Sequence, residues 1–197
     1  MKTLICHGDS LIEASDLDRP STWPYRVARR LKINVVNSGI GGDTTGGLLG
    51  RFYPEVVQQH ADAVLIVGGT NDLWWDLDLK LIRANIFTMV CQATYHNIIP
   101  LVGLPPPILV EKARLQDFAG PQGGYARFVS QLEVLVESLE LAAEQNEVAC
   151  LDFHRPFLDE AGNSIEKYFL DDGLHPNQAG HTIMVDIAIE KLSGLER

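Results

Sequence analysis

Five short apolar runs alternate along the chain with stretches whose apolar residues recur at helical spacing. Leu4-Ile5-Cys6 opens the series and stops at Gly8-Asp9-Ser10. Ile33 to Val36 predicts a second, β-branched strand. Ala63 to Val67 is a third, apolar throughout, and Ile98 to Gly103 and Val148 to Leu151 complete the set. Trp23, Val27 and Leu31 share one face of a helix expected from about Thr22 to Leu31, with Ser21 as its cap and Pro24 in its first turn. Leu48 to His60 is patchily helical, and Pro54 is expected to start a new helix there. Ile82, Ile86, Met89, Val90 and Ala93 line one face of a helix from Leu79 to Tyr95. Phe128, Val129, Leu132, Leu135, Val136 and Leu139 do the same from Tyr125 to Gln145. Pro105-Pro106-Pro107 takes the chain out of the sheet, and the stretch to Gly124 reads as irregular. Pro176-Asn177 suits the start of a last helix reaching about Leu192.

Strands alternating with helices call for an α/β fold, a parallel sheet covered on both faces with right-handed crossovers. The expected order of five such strands is 2-1-3-4-5, which opens a crevice at the C-terminal ends of strands one and three. Three glycine-marked loops then meet at that crevice. They are Gly8-Asp9-Ser10 after strand one, Asn37 to Gly47 after strand two, and Gly68-Gly69-Thr70-Asn71-Asp72 after strand three. No repeat or linker interrupts the 197 residues, so one domain over 1–197 is expected.

A hydrophobic fraction of 46% with 21% charged residues fits a packed core and argues against disorder. The net charge of -10 makes nucleic acid and anionic membrane surfaces unexpected partners. Arg29-Arg30, an adjacent basic pair, suits a helix C-terminus. Cys6, Cys91 and Cys150 form no Cys-x-x-Cys pair and are expected to be reduced, mostly buried thiols. Met1-Lys2 leads straight into the first strand, and no apolar run has the length of a signal core or a bilayer span. The expected location is the cytoplasm.

The loop chemistry has two competing readings at each position. Ser10 caps a turn or presents a nucleophile; Asn71 closes an Asx-turn or donates to an oxyanion; His175 caps the last helix or acts as a base. A serine hydroxyl needs an adjacent base to attack a carbonyl, and His175 with Asp172 three residues before it supplies a base and its orienting acid from one loop. The backbone N–H groups of Ser10 and Gly42, with the Asn71 amide, would then face the developing oxyanion. Gly39-x-Gly41 is followed by Thr44 where a dinucleotide loop needs its third glycine. His7 near Asp9 lacks a third metal ligand, and His60, His96, His154 and His181 are expected to be surface or structural. Trp74 and Trp75 either wall a pocket or pack in the core.

Together the loops resemble the conserved blocks of the SGNH hydrolases, the GDSL-type esterases and lipases. Gly8-Asp9-Ser10-Leu11 is similar to the first block, with the nucleophile at Ser10. Asn37-x-Gly39-x-x-Gly42-Asp43-Thr44 is similar to the second, with an oxyanion donor at Gly42. Gly69-Thr70-Asn71-Asp72 is similar to the third, with another at Asn71. Asp172-x-x-His175-Pro176 resembles the fifth, with the acid and base at those positions. The resemblance implies a flavodoxin-like three-layer α/β/α sandwich, no metal and no cofactor. The expected activity is a serine esterase on small acyl esters, acetylated carbohydrates among them. A thioesterase or lysophospholipase with the same triad is the alternative, and a non-catalytic flavodoxin-like binding module a more distant one. A small-molecule acyl ester is the expected partner, and a homo-oligomer stays open. Leu73 to Asp78 and Pro105 to Gly124 are where substrate choice is expected to be set. Nothing matches Gly-x-Ser-x-Gly, which sets aside the α/β-hydrolase nucleophile elbow.

Overall fold

In the computed structural model, which describes residues 1–194, the five strands form one parallel sheet. They are β1 (Thr3–Gly8), β2 (Asn34–Gly39), β3 (Ala63–Val67), β4 (Ile99–Leu104) and β5 (Ala149–Asp152). The order is β2-β1-β3-β4-β5, as the strand–helix alternation predicts. The helices are α1 (Ser10–Glu13), α2 (Trp23–Leu31), α3 (Thr45–Glu55), α4 (Thr70–Trp74), α5 (Leu79–Tyr95), α6 (Val110–Ala113), α7 (Tyr125–Gln145) and α8 (Gln178–Gly194).

Alternation along the strands splits the core into two layers. Ile5, Val64, Ile66 and Val102 face α3, α5 and α7 through Phe52, Met89 and Leu135. Leu4, Cys6, Leu65, Leu101 and Leu151 face α2 and α8 through Val27, Met184 and Val185. Every residue of β3 is buried, because the strand lies in mid-sheet under helices on both sides.

Four local expectations are corrected. β2 runs on to Gly39, so the polar Asn37 and Ser38 are strand residues; as an edge strand it is held by its ladder to β1, His7 opposite Ser38 and Gly8 opposite Gly39, rather than by apolar content. Pro54 does not start a helix but lies in the last turn of α3, where it removes one i→i−4 bond and the helix ends at the next residue; a short 3-10 turn follows at Val57–Gln59. Ser21 does not cap α2. Thr22 stands at that position with no capping bond from its side chain, which donates instead to Arg19 O at 2.8 Å, and the first free N–H, that of Trp23, is taken by buried His181 Nδ1 at 2.9 Å. Cys91 is exposed and Cys150 half-buried; of the three thiols Cys6 alone is buried.

Candidate active site

Ser10 follows β1 at a forced turn. A side chain at Gly8 would meet the Val67 carbonyl at 2.4 Å, so glycine is required where β1 passes β3. Asp9 caps α1, its Oδ1 accepting the Leu11 N–H at 2.9 Å. The Leu11 carbonyl in turn accepts Trp23 Nε1–H at 2.9 Å, which ties the serine turn to α2.

His175 arrives from a loop 165 residues away, and its Nε2 stands 2.9 Å from Ser10 Oγ. Its Nδ1 lies 2.6 Å from Asp172 Oδ2. Asp172 Oδ1 accepts the N–H of Leu174 at 2.8 Å and of His175 at 3.0 Å, so the acid is both turn residue and ring partner. Asn177, not His175, caps α8: its Oδ1 accepts from the N–H of Ala179 and Gly180. Short α6 and its flanks brace this loop. The Leu109 N–H donates to Gly173 O at 2.7 Å, and Lys112 Nζ pairs with Asp171 at 3.0 Å.

Burial opposes the charge on His175, but the Asp172 hydrogen bond and charge, with Asp16 and Asp9 adding, hold its pKa above the usual histidine value. Burial likewise opposes ionisation of Asp172, and the donors from His175 and Leu174 overcome it, so its pKa is lowered. Asp16 Oδ2 stands 3.7 Å from His175 Nδ1, a second carboxylate that the chain pattern did not single out. Asp9 is buried, with Oδ2 unpartnered among the described residues, and desolvation pushes its pKa up to about 7.

The loop after β2 reaches the same place. Gly42 has φ +78°, a conformation that disfavours any side chain. Among the described residues the backbone N–H groups of Gly42 and Ser10 have no acceptor. Asn71, on α4, donates one amide N–H to the Asp43 carbonyl at 2.9 Å, which fixes the amide and leaves its second N–H. Ser10, Gly42, Asn71 and His175 line one cavity of about 500 Å³. Glu13, Ser15 and Asp16 form its polar side; Trp74, Ile108, Phe118 and Leu174 form its apolar side. Trp74 Nε1–H donates to Ala119 O at 3.1 Å, so both stretches left for substrate choice meet in one wall. Trp75 also lines it and is 53% exposed, while Trp74 packs on Tyr125 and Phe128.

His7 does not belong to this group. Its Nε2–H donates to Leu48 O at 2.9 Å inside the core, and burial lowers its pKa to about 4. His154 and His181 are buried and structural, bonded to Pro105 O and the Trp23 N–H. Among the described residues no group of three potential ligands is arranged for a metal ion, and no helix is long and apolar enough to cross a membrane.

The sheet order and its helical layers are those of the SGNH α/β/α sandwich, a class of carboxylic ester hydrolases. The chain belongs to the GDSL-like Lipase/Acylhydrolase family, whose model matches residues 6–183. It is similar to an acetylxylan esterase of Geobacillus stearothermophilus, 28% identical over 80% of this chain and 71% of that protein. An arylesterase of Vibrio mimicus is 26% identical over 96% of this chain and 87% of its own length. The crystal structure of the lipase/acylhydrolase from Enterococcus faecalis has the same fold, with a TM-score of 0.81 at 21% identity over 99% of this chain and 97% of that one.

Proposed function

We propose that this hydrolase is a serine esterase of small acyl esters, with Ser10 as nucleophile, His175 as general base and acid, and Asp172 as the orienting acid. The supporting observation is the unbroken hydrogen-bond chain from Ser10 Oγ through His175 to Asp172, at 2.9 and 2.6 Å. In this reading Ser10 Oγ attacks the ester carbonyl carbon while its proton passes to His175 Nε2. Asp172 stabilises the imidazolium. The carbonyl oxygen, now an oxyanion, takes the N–H groups of Ser10 and Gly42 and the free N–H of Asn71. Collapse breaks the bond to the alkoxy oxygen, which leaves as alcohol with the proton from His175. Water, deprotonated by His175, then attacks the acyl–Ser10 ester; the bond to Oγ breaks, His175 returns its proton to Oγ, and the carboxylic acid departs.

The apolar wall of Trp74, Ile108, Phe118 and Leu174 favours a second reading, a longer acyl chain or a thioester on the same machinery. Acetyl, long-chain and thioester substrates compared on one preparation separate the two. Small acyl esters are expected to give the highest kcat/KM; a strong preference for long chains would replace them. A fluorophosphonate probe is expected to label Ser10, and Ser10→Ala to lower kcat by about 10⁴- to 10⁶-fold. Label on another residue, or near-normal turnover in a folded Ser10→Ala protein, would refute the assignment.

A further inference from the structure

The guanidinium of Arg51, on α3, is enclosed beneath the loops that carry the three oxyanion donors, its side chain 14% exposed. Nη2 donates to Gly8 O at 2.8 Å, two residues before Ser10. Nη1 donates to Ser38 O at 3.0 Å and Ser38 Oγ at 2.9 Å, near the end of β2. Nε donates to Asp43 Oδ2 at 2.8 Å, one residue after Gly42. The Asp43 carbonyl is the group that holds the Asn71 amide. Glu55 completes the set, at 2.5 Å from Nη1 and 2.6 Å from Ser38 Oγ. His7, neutral and with Nε2–H on Leu48 O, turns its Nδ1 toward Ser38 Oγ and Nη1.

Each of the three donor-bearing loops thus has a bond to Arg51, or to a group that Arg51 holds. Backbone N–H groups stabilise an oxyanion only if they are already aimed when charge develops. A planar fork with five fixed donors can span Gly8, Ser38 and Asp43 at once; a lysine ammonium cannot. We infer that Arg51 is a positioning residue that fixes the oxyanion hole of the proposed esterase from below, without touching substrate. The inference rests on the proposed roles of Gly42 and Asn71.

The test is a mutant cycle on 4-nitrophenyl acetate. Arg51→Lys is expected to lower kcat by about 10- to 100-fold, less than the 10²- to 10³-fold usual for losing a donor outright, with KM within about 3-fold. Inhibition by methylboronic acid, whose serine adduct is tetrahedral, weakens by a similar factor. In the Asn71→Ala background the same substitution costs less than it does alone, because one of the three donors it aims is already gone while those of Ser10 and Gly42 remain, so the two losses combine to less than their product. Asp43→Asn keeps the carbonyl that holds Asn71 and is expected to repeat the pattern; thermal melts confirm that each variant is folded. A folded Arg51→Lys with unchanged kcat, a loss confined to KM, or losses that multiply with Asn71→Ala would overturn the inference. So would failure of both variants to fold, which would make the network scaffolding. If Asn71→Ala alone costs nothing, the oxyanion reading itself fails.

Discussion

The carboxyl groups around Ser10 carry opposite demands. The proposed role of Asp172 needs it ionised, and its three donors favour that form. With its pKa raised above the usual 6.5, His175, the proposed base, is protonated over a wider acid range than a free imidazole. Activity is therefore expected to rise with pH through a value above 6.5, and a kcat/KM profile flat across the histidine range would remove His175 as base. Asp16→Asn removes one of the charges that raise that pKa, so the acid limb should shift to lower pH; an unmoved limb would show that Asp16 is solvated away from the ring. Asp9 differs. Desolvation raises its folded pKa from 3.8 to about 7, so its bound proton contributes stability that is full below the unfolded value and lost as pH rises through the folded one. Asp9→Asn should gain on the native protein in urea melts between about pH 5 and about pH 8, and a constant gap would contradict this. Ser10 and Asn71 were legible because short polar residues stand where apolar strands stop, and Asp172 and His175 because of their Asp-x-x-His-Pro spacing. Arg51 and Asp16 were not. A charged residue in the sequence reads as solvent-facing, and the one signal for Arg51 was its place on the inner face of α3 between Leu48 and Phe52.

Helices were the legible elements, because an amphipathic stripe declares itself every three or four residues; α5 and α7 span the expected residues. β2 was half legible. Its end is polar, and only the ladder to β1 makes strand of it, a contact that local pattern does not carry. The link from α3 to α4 was invisible for the same reason. Asp72 accepts the Thr45 N–H at 2.8 Å and the Thr45 hydroxyl at 2.6 Å, and Asn85 donates to that hydroxyl at 3.1 Å. The carboxylate thus caps α3 from α4, next to Asn71. Asp72→Ala leaves a buried N–H and hydroxyl without their acceptor and should cost about 1–3 kcal/mol in denaturant melts. Asp72→Asn keeps one acceptor oxygen and should cost less. Equal losses from the two would show that the cavity left by truncation, not the missing acceptor, sets the penalty.

Across the whole molecule, chemistry and cohesion occupy different places. The candidate residues sit on loops and first helical turns at the C-terminal rim of the sheet, while two apolar layers separated by that sheet hold the strands together. A β-sheet one strand thick keeps the layers from sharing side-chain contacts, since alternate residues of each strand face opposite ways. Val90, in the α5 layer, and Val185, in the α8 layer, are buried on opposite sides. Each valine-to-alanine change should cost about 1.5–3 kcal/mol, the worth of burying that side chain. Because the sites have no common neighbours, the double variant should lose the sum to within about 0.5 kcal/mol. The folded fraction should keep native kcat, since neither residue borders the cavity. A double-variant loss well short of the sum would mean that the strands transmit relaxation from one layer to the other. Turnover would then fall with stability, because the rim loops hang from those same strands.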